Sequence, residues 1–286
     1  MADTLIEVQQ LRAHLHDPDW ALCDCRFELT RPEWGHAAWA AAHIPGAQYV
    51  HLERDLSGAR SATSGRHPLP RVDDLATTFG RLGIDASVQV VAYDQGPGAY
   101  AARLWWLLRW LGHPRVAVLD GGLAAWERAG LPLTAAAGAR PVRRFTPRPR
   151  PGLLSSTAEI ATAVTTGALA RSAPLLVDAR SAERFAGHNE TLDAVAGHIP
   201  GARNHPFTTN LDDNGLFLPA TELRRRWLRT LGGASAAQSV AMCGSGVTAC
   251  HNLLALEVAG LGGARLYAGS WSEWISDPAR AVVGAA

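Results

Sequence analysis

The sequence predicts a duplicated α/β fold: two domains in tandem, each a mainly parallel sheet flanked by helices. Three observations predict it. The pentapeptide HIPGA stands at 43–47 and again at 198–202. Around each copy the same succession of apolar strand, turn and amphipathic helix recurs. And 286 residues exceed what one hydrophobic core usually organises.

Taken in order, the N-terminal stretch MADTLIEVQQLRAHL (1–15) reads as an amphipathic helix, without the basic start and unbroken apolar core of a secretion signal. ALCDCR (21–26) is a short apolar strand ending in an acid and then an arginine, and LLVDAR (175–180) is its counterpart. HIPGA follows each. Its proline fixes one dihedral, its glycine takes the next, and the histidine can bond nearby backbone, so His43 and His198 read as scaffold. Amphipathic helices come next at 73–84 and 221–232, then buried-type strands at 88–94 and 238–243, each leading through a loop into a helix. VAVLDGGLAAW (116–126) and ARLYAGSWSEW (264–274) close the halves with a strand and a Gly/Trp turn, where Trp271 and Trp274 read as core packing. Strands alternating with helices in this way make parallel sheets. The expected boundaries are a domain over 1–134, a connector over 135–152 and a second domain over 153–286. The connector is rich in Pro, Gly and Arg and has no apolar periodicity, so it reads as exposed, with solvated arginines.

Composition excludes several classes. Hydrophobic residues at 47% against 19% charged leave no signature of disorder. A formal net charge of +1 gives no general attraction to nucleic acid or to an anionic membrane. No apolar run reaches the roughly 20 residues of a bilayer span. Four cysteines in so long a chain argue against a disulfide scaffold and for a reducing cytoplasm. Cys23 and Cys25 have no second pair beside them, and on a strand they would point to opposite faces, so no metal site is expected.

VAMCGSGVTAC (240–250) carries the chemistry. A buried strand ends at Met242, two glycines follow in a short loop, and a helix starts near Val247. Gly244 and Gly246 let several backbone N–H groups turn inward around one point, and the positive end of the helix dipole aims there too. A thiolate at Cys243 would be stabilised by both, giving a nucleophile without an adjacent base. The same residues would also suit a structural cysteine before a tight turn. Cys250 falls within the helix body and reads as a small buried apolar residue.

CGSGVTAC, preceded by VDAR, RFxG and GHIPGA and followed by GSWSEW, resembles the two-domain rhodanese and 3-mercaptopyruvate sulfurtransferase family along almost the entire chain. The resemblance implies that Cys243 carries sulfur as a persulfide and that the first domain is an inactive copy, with Asp94 of YDQGPGAY in place of the cysteine. The uncharged loop of Cys243, Gly244, Ser245, Gly246, Val247 and Thr248 is similar to that of mercaptopyruvate-preferring members; thiosulfate-preferring members tend to have basic residues there. Ser245 then assists proton transfer together with His67, from GRHPLP (65–70), and an acid, Glu53 or alternatively Asp55. Arg184, in ERFAG, would hold the donor carboxylate. The family's second substrate arginine falls where this chain reads HNETLDAVAGHIPG (188–201), with no arginine, which implies a high KM for mercaptopyruvate. A further departure is Ala268, where the family usually has an aspartate.

The implied function is transfer of a sulfane sulfur from 3-mercaptopyruvate to a thiol or cyanide, thioredoxin included among acceptors, with no metal or organic cofactor required. Thiosulfate:cyanide sulfurtransferase is the alternative donor reading. A cysteine phosphatase would need an arginine closing the loop, where Thr248 and Ala249 stand. A non-catalytic sulfur-carrier or regulatory module would be favoured by loss of Cys243, which is present.

Overall fold

The computed structural model describes residues 4–171 and 174–284, which fall into two compact units. The first holds β1 (Leu5–Ile6), α1 (Val8–Ala13), β2 (Trp20–Asp24), α2 (Trp34–Ala41), β3 (Gln48–Tyr49), α3 (Val72–Arg81), β4 (Gln89–Tyr93), α4 (Ala99–Trp110), β5 (Val116–Leu119) and α5 (Gly122–Arg128). The second holds α6 (Thr157–Thr165), α7 (Ala168–Arg171), β6 (Leu175–Asp178), α8 (Ala182–Phe185), β7 (Arg203–Asn204), α9 (Ala220–Leu231), β8 (Ser239–Met242), α10 (Thr248–Val258), β9 (Arg265–Leu266) and α11 (Ser270–Trp274).

Both sheets are parallel throughout. Their orders are β1-β5-β4-β2-β3 and β7-β6-β8-β9, so β4 and β8 sit inside their sheets with neighbours on both sides. Every residue of β4 and of β8 is buried, as expected of strands covered on both faces. Leu22, Val91, Leu119 and Trp126 pack in the first core; Leu176, Val240, Met242, Trp271 and Trp274 pack in the second.

The repeated acid-x-arginine pair explains why each strand is followed by HIPGA. Arg26 grips Asp24 with Nε and Nη2 at 2.9 and 2.7 Å, and Arg180 grips Asp178 at 2.9 and 2.8 Å. Each Nη2 also donates to the carbonyl just before the motif's histidine, Ala42 or Gly197, both at 2.7 Å. The strand end is thereby tied to the turn. Removing one partner of such a buried pair costs about 3–5 kcal/mol. His43 and His198 place Nδ1 against the carbonyls of Trp39 and Phe185, in keeping with a scaffold role.

One expectation is corrected. The N-terminal stretch is not one helix. Leu5–Ile6 pair with Val118–Leu119 as a sheet edge, and the helix occupies only Val8–Ala13; residues 1–3 lie outside the described residues. The connector is largely exposed, as read, and it is also fastened to the first unit. Arg140 donates to the carbonyls of Trp20 and Pro18 at 2.6 and 2.7 Å, and the N–H groups of Arg143, Arg148 and Arg150 bond to Gly80, Leu111 and Trp110. Phe145 is buried edge-on against Phe79. Each compact unit also takes in a short stretch from elsewhere in the chain. Ala59–Pro68 belongs to the second unit and Asp213–Phe217 to the first.

Candidate active site

Cys243 follows the last residue of β8 and is buried, and α10 begins five residues later at Thr248. Gly246 takes a left-handed φ of 77°, and a side chain there would collide with the carbonyl of Ala268. This turn brings the Gly246 N–H to 3.1 Å from Cys243 Sγ.

The turn into α11 holds the loop from outside. Trp271 N–H donates to the carbonyl of Cys243 at 3.0 Å and Ser272 N–H to that of Gly244 at 2.9 Å. A trans peptide points its N–H opposite its carbonyl, so the N–H groups of Gly244 and Ser245 face away from α11. Ser270 Oγ accepts the Cys243 N–H at 3.1 Å and donates to Tyr267 O at 2.9 Å. Ser270 does so at a φ of 54°, unusual for a residue with a side chain.

The strap Ala59–Pro68 runs along the same turn. Arg66 N–H donates to Ser272 Oγ at 3.0 Å, Ser276 Oγ donates to Thr63 O at 3.3 Å, and a side chain at Gly65 would meet the Gly269 carbonyl. The strap delivers two groups. His67 Nδ1 lies 2.7 Å from Ser245 Oγ, both residues buried. The guanidinium of Arg66 lies over Gly244: a methyl group on that glycine would be 2.8 Å from Arg66 Nη2 and 3.5 and 3.7 Å from Arg184 Nη2 and Nη1.

Arg184 comes from α8, whose first turn is capped by Ser181. Its Nε donates to both oxygens of Glu190 at 3.1 and 3.0 Å, and its Nη2 donates to Asp193 Oδ2 at 3.0 Å. Asp193 Oδ1 is paired with Arg66 Nη1. Burial pushes the Asp193 carboxyl upward, against the pull of Arg66 and Arg184. At Glu190 burial is outweighed by the Arg184 bonds and two backbone N–H groups, and its carboxyl is lowered. Arg180 stacks over the Trp271 ring at 4.7 Å and reaches Glu190 at 3.5 Å.

The second unit thus brings together Cys243, Gly244, Ser245, Gly246, Val247, Thr248, His67 and Arg184. Glu53 belongs to the first unit, where its N–H bonds to His51 Nδ1 at 3.1 Å. Arg66, Asp193 and Ser270 were not anticipated. Arg66 adjoins His67 in GRHPLP, which was the available signal; nothing local marks Asp193 or Ser270. The stretch 188–201 has no arginine, as read, but the strap brings Arg66 beside Arg184 at Gly244. The other thiols sit in different surroundings. Burial raises Cys23 to about 12 and Cys25 well above its ordinary value, and Cys250 Sγ lies 3.3 Å from the Gly246 carbonyl inside α10.

A strand-end thiol in a glycine loop, with the Gly246 N–H at its sulfur and two guanidinium groups at the adjoining Gly244, can attack a sulfur atom and hold an anionic donor. The rhodanese-like domain matches residues 7–129 and 162–277. A Pseudomonas aeruginosa protein named "Probable 3-mercaptopyruvate sulfurtransferase" is 49% identical over 280 residues, covering 97% of each chain. A Mycobacterium tuberculosis protein named "Putative thiosulfate sulfurtransferase SseB" is 42% identical, covering 92% of this chain and 90% of its own. The crystal structure of SseA from Escherichia coli, among the 3-mercaptopyruvate sulfotransferases, superposes with a TM-score of 0.80 at 32% identity, covering 95% of this chain and 100% of that one.

Proposed function

The chain belongs to the two-domain rhodanese and 3-mercaptopyruvate sulfurtransferase family and is a sulfurtransferase, and from that premise we propose that it draws sulfur from 3-mercaptopyruvate through Cys243. Cys243 thiolate attacks the donor sulfur. The new S–S bond forms as the C–S bond breaks, the bonding pair leaves on pyruvate enolate, and the enolate takes a proton to become pyruvate. The cysteine is left as a persulfide. A thiol or cyanide then attacks the outer sulfur and releases Cys243 thiolate, a ping-pong cycle.

The observation that carries this reading is the 2.7 Å contact between Ser245 Oγ and His67 Nδ1. Ser245 can donate to the donor's keto oxygen as enolate charge develops, with His67 replenishing the proton. Glu53 is proposed as the acid behind His67. Arg184 and Arg66 serve as the forks for the donor carboxylate, since both guanidinium groups converge on Gly244. The catalytic half is proposed as 153–286; the compact unit that holds Cys243 also takes in the strap Ala59–Pro68 and leaves Asp213–Phe217 to the first unit.

Thioredoxin is proposed as a protein acceptor, checked by persulfide discharge from the loaded enzyme with pyruvate already removed. A cytoplasmic setting is supported by four free thiols; no helix among the described residues is long and apolar enough to cross a membrane. The thiosulfate reading is supported by relatives' names, that of the Mycobacterium tuberculosis protein and that of an Arabidopsis thaliana protein named "Thiosulfate/3-mercaptopyruvate sulfurtransferase 2". Steady-state kcat/KM for 3-mercaptopyruvate and for thiosulfate, with cyanide as common acceptor, separates the two. The expected result is a larger value for 3-mercaptopyruvate; a larger value for thiosulfate overturns the proposal.

A further inference from the structure

The arginines that face Gly244 have carboxylates on their far side. Asp193 gives one oxygen to Arg66 and the other to Arg184, and its side chain is 4% exposed against 22% and 18% for the two arginines. The anion therefore lies beneath the cations and leaves their other edges toward the loop. Among the described residues, Arg66 Nη2 and Arg184 Nη1 make no hydrogen bond, and both are among the atoms nearest Gly244.

Charge in this cluster nearly cancels. Arg180 is held by Asp178 and approached by Glu190, Arg184 by Glu190 and Asp193, and Arg66 by Asp193. Three guanidinium groups face three carboxylates, and the loop from Cys243 to Thr248 adds no positive charge, only the negative one of the Cys243 thiolate in its reactive state. Donors to bind an anion are abundant, yet there is no surplus positive charge to balance a second negative one.

We infer that Asp193 is the residue that sets donor selectivity: by cancelling one positive charge shared between Arg66 and Arg184, it favours a monoanionic sulfur donor over a dianionic one. 3-Mercaptopyruvate carries one negative charge on its carboxylate, and thiosulfate carries two on a compact group. Specificity here is a difference between two affinities, produced partly by withholding attraction from the wrong donor. Asp193 acts through the arginines and does not itself touch the donor. The inference deepens the 3-mercaptopyruvate reading and rests on Cys243 being the site of transfer.

The test compares wild type, Asp193→Asn and Asp193→Glu in kcat/KM for both donors, at low and high salt with cyanide as acceptor. Asp193→Asn should raise the thiosulfate-to-mercaptopyruvate ratio about tenfold or more, as expected for one unit charge a few ångströms from the donor. The gain should appear in KM for thiosulfate rather than in kcat, and should shrink at high salt. Asp193→Glu, which keeps the charge, should keep the wild-type ratio. Equal loss with both donors would make Asp193 a strut and overturn the inference, as would a ratio that Glu shifts as much as Asn does. If wild type prefers thiosulfate, the donor reading fails, while the change in ratio on substitution still decides the role of Asp193. Should Asp193→Asn not fold, wild type itself gives a measurement: pyruvate should compete with the donor at lower concentration than sulfate, and the reverse order would reject the inference.

Discussion

Asp94 and Cys243 occupy equivalent places, each at the end of a central strand before a glycine loop and a helix, and the two loops use their N–H groups in opposite ways. The Asp94 carboxylate accepts N–H bonds from Gly96, Gly98, Tyr100 and Ala101 at 3.0, 2.9, 2.9 and 3.4 Å. Burial raises its pKa and those four bonds lower it, with burial ahead. This loop is an anion cradle filled by its own side chain. In the second unit one N–H, from Gly246, reaches Cys243 Sγ. The surroundings diverge in the same sense. The strap in the catalytic unit reads Gly65-Arg66-His67; the corresponding strap in the other reads Gly215-Leu216-Phe217, and the Phe217 N–H bonds to Asp120 at 2.9 Å. Where the first unit has Gly122 at a φ of 56°, the second has Ser270 at 54°, accepting strain for a hydrogen bond to the Cys243 N–H. One architecture thus yields a loop closed on its own carboxylate or one left open around the proposed sulfur carrier, according to a few side chains.

The sharpest way to break that comparison is to move the nucleophile. Cys243→Ser should abolish turnover, and incubation with donor should add one sulfur mass to wild type at Cys243 alone. Introducing Asp94→Cys into the Cys243→Ser protein should not restore mercaptopyruvate turnover, because Leu216 and Phe217 stand where Arg66 and His67 are needed. A persulfide on residue 94, or on Cys23, Cys25 or Cys250 of wild type, would contradict the division of labour.

Next come the groups that distinguish the catalytic loop. Ser245→Ala should lower kcat with 3-mercaptopyruvate by about 100-fold, the lower end of what positioned proton transfer contributes, and change KM little. Loss of thiosulfate turnover by the same factor would remove the proton-relay role, since thiosulfate releases sulfite and needs no enolate protonation. Arg184→Ala should instead raise KM for 3-mercaptopyruvate by roughly tenfold to a hundredfold, the worth of a charge-assisted hydrogen bond, with kcat nearly kept. An unchanged KM would place the carboxylate elsewhere.

How much of this was legible follows the range of the interactions. HIPGA, the acid-x-arginine strand ends and the strand-loop-helix around Cys243 are local patterns, and they led to the fold and to the proposed nucleophile. The exchanged straps left no such trace, because a segment's preference for a distant partner has no periodicity of its own; residues 59–68 look like any polar loop. β1 escaped for a related reason, since two residues cannot display an alternating pattern. Arg66 could have been noticed beside His67, but its approach to Gly244 depends on the strap crossing. Ser270 was hidden because serine gives no warning of a left-handed backbone.

The smallest expected effect concerns stability, and it compares the histidines that follow β3 and β7. His205 is buried, stacked on Trp227 at 3.9 Å, with Nδ1 2.8 Å from Thr230 Oγ and Nε2 3.1 Å from Asn210 Oδ1. Asn210 Oδ1 can only accept, so Nε2 carries the proton and Nδ1 accepts from Thr230; the neutral ring is fully bonded. Burial lowers its pKa from 6.5 to about 4, with the Asn210 bond opposing and Arg226 adding to the shift. Burial also lowers His51, helped by Arg54, but Glu33, Asp55 and Glu53 pull the other way. For His205 the unfolded chain binds a proton below about pH 6.5 and the folded one only near 4. Between those values the unfolded state holds more protons, so stability is complete above the unfolded value and is lost as pH falls through the window, by up to about 3 kcal/mol. Urea midpoints measured from pH 7 to pH 4 should therefore fall less steeply in His205→Gln than in wild type, although that variant starts from a lower midpoint at neutral pH. His51→Gln should flatten the profile less, because carboxylates already offset the burial of that ring. Parallel profiles for wild type and His205→Gln would mean that the buried ring beside Trp227 does not control the acid limb.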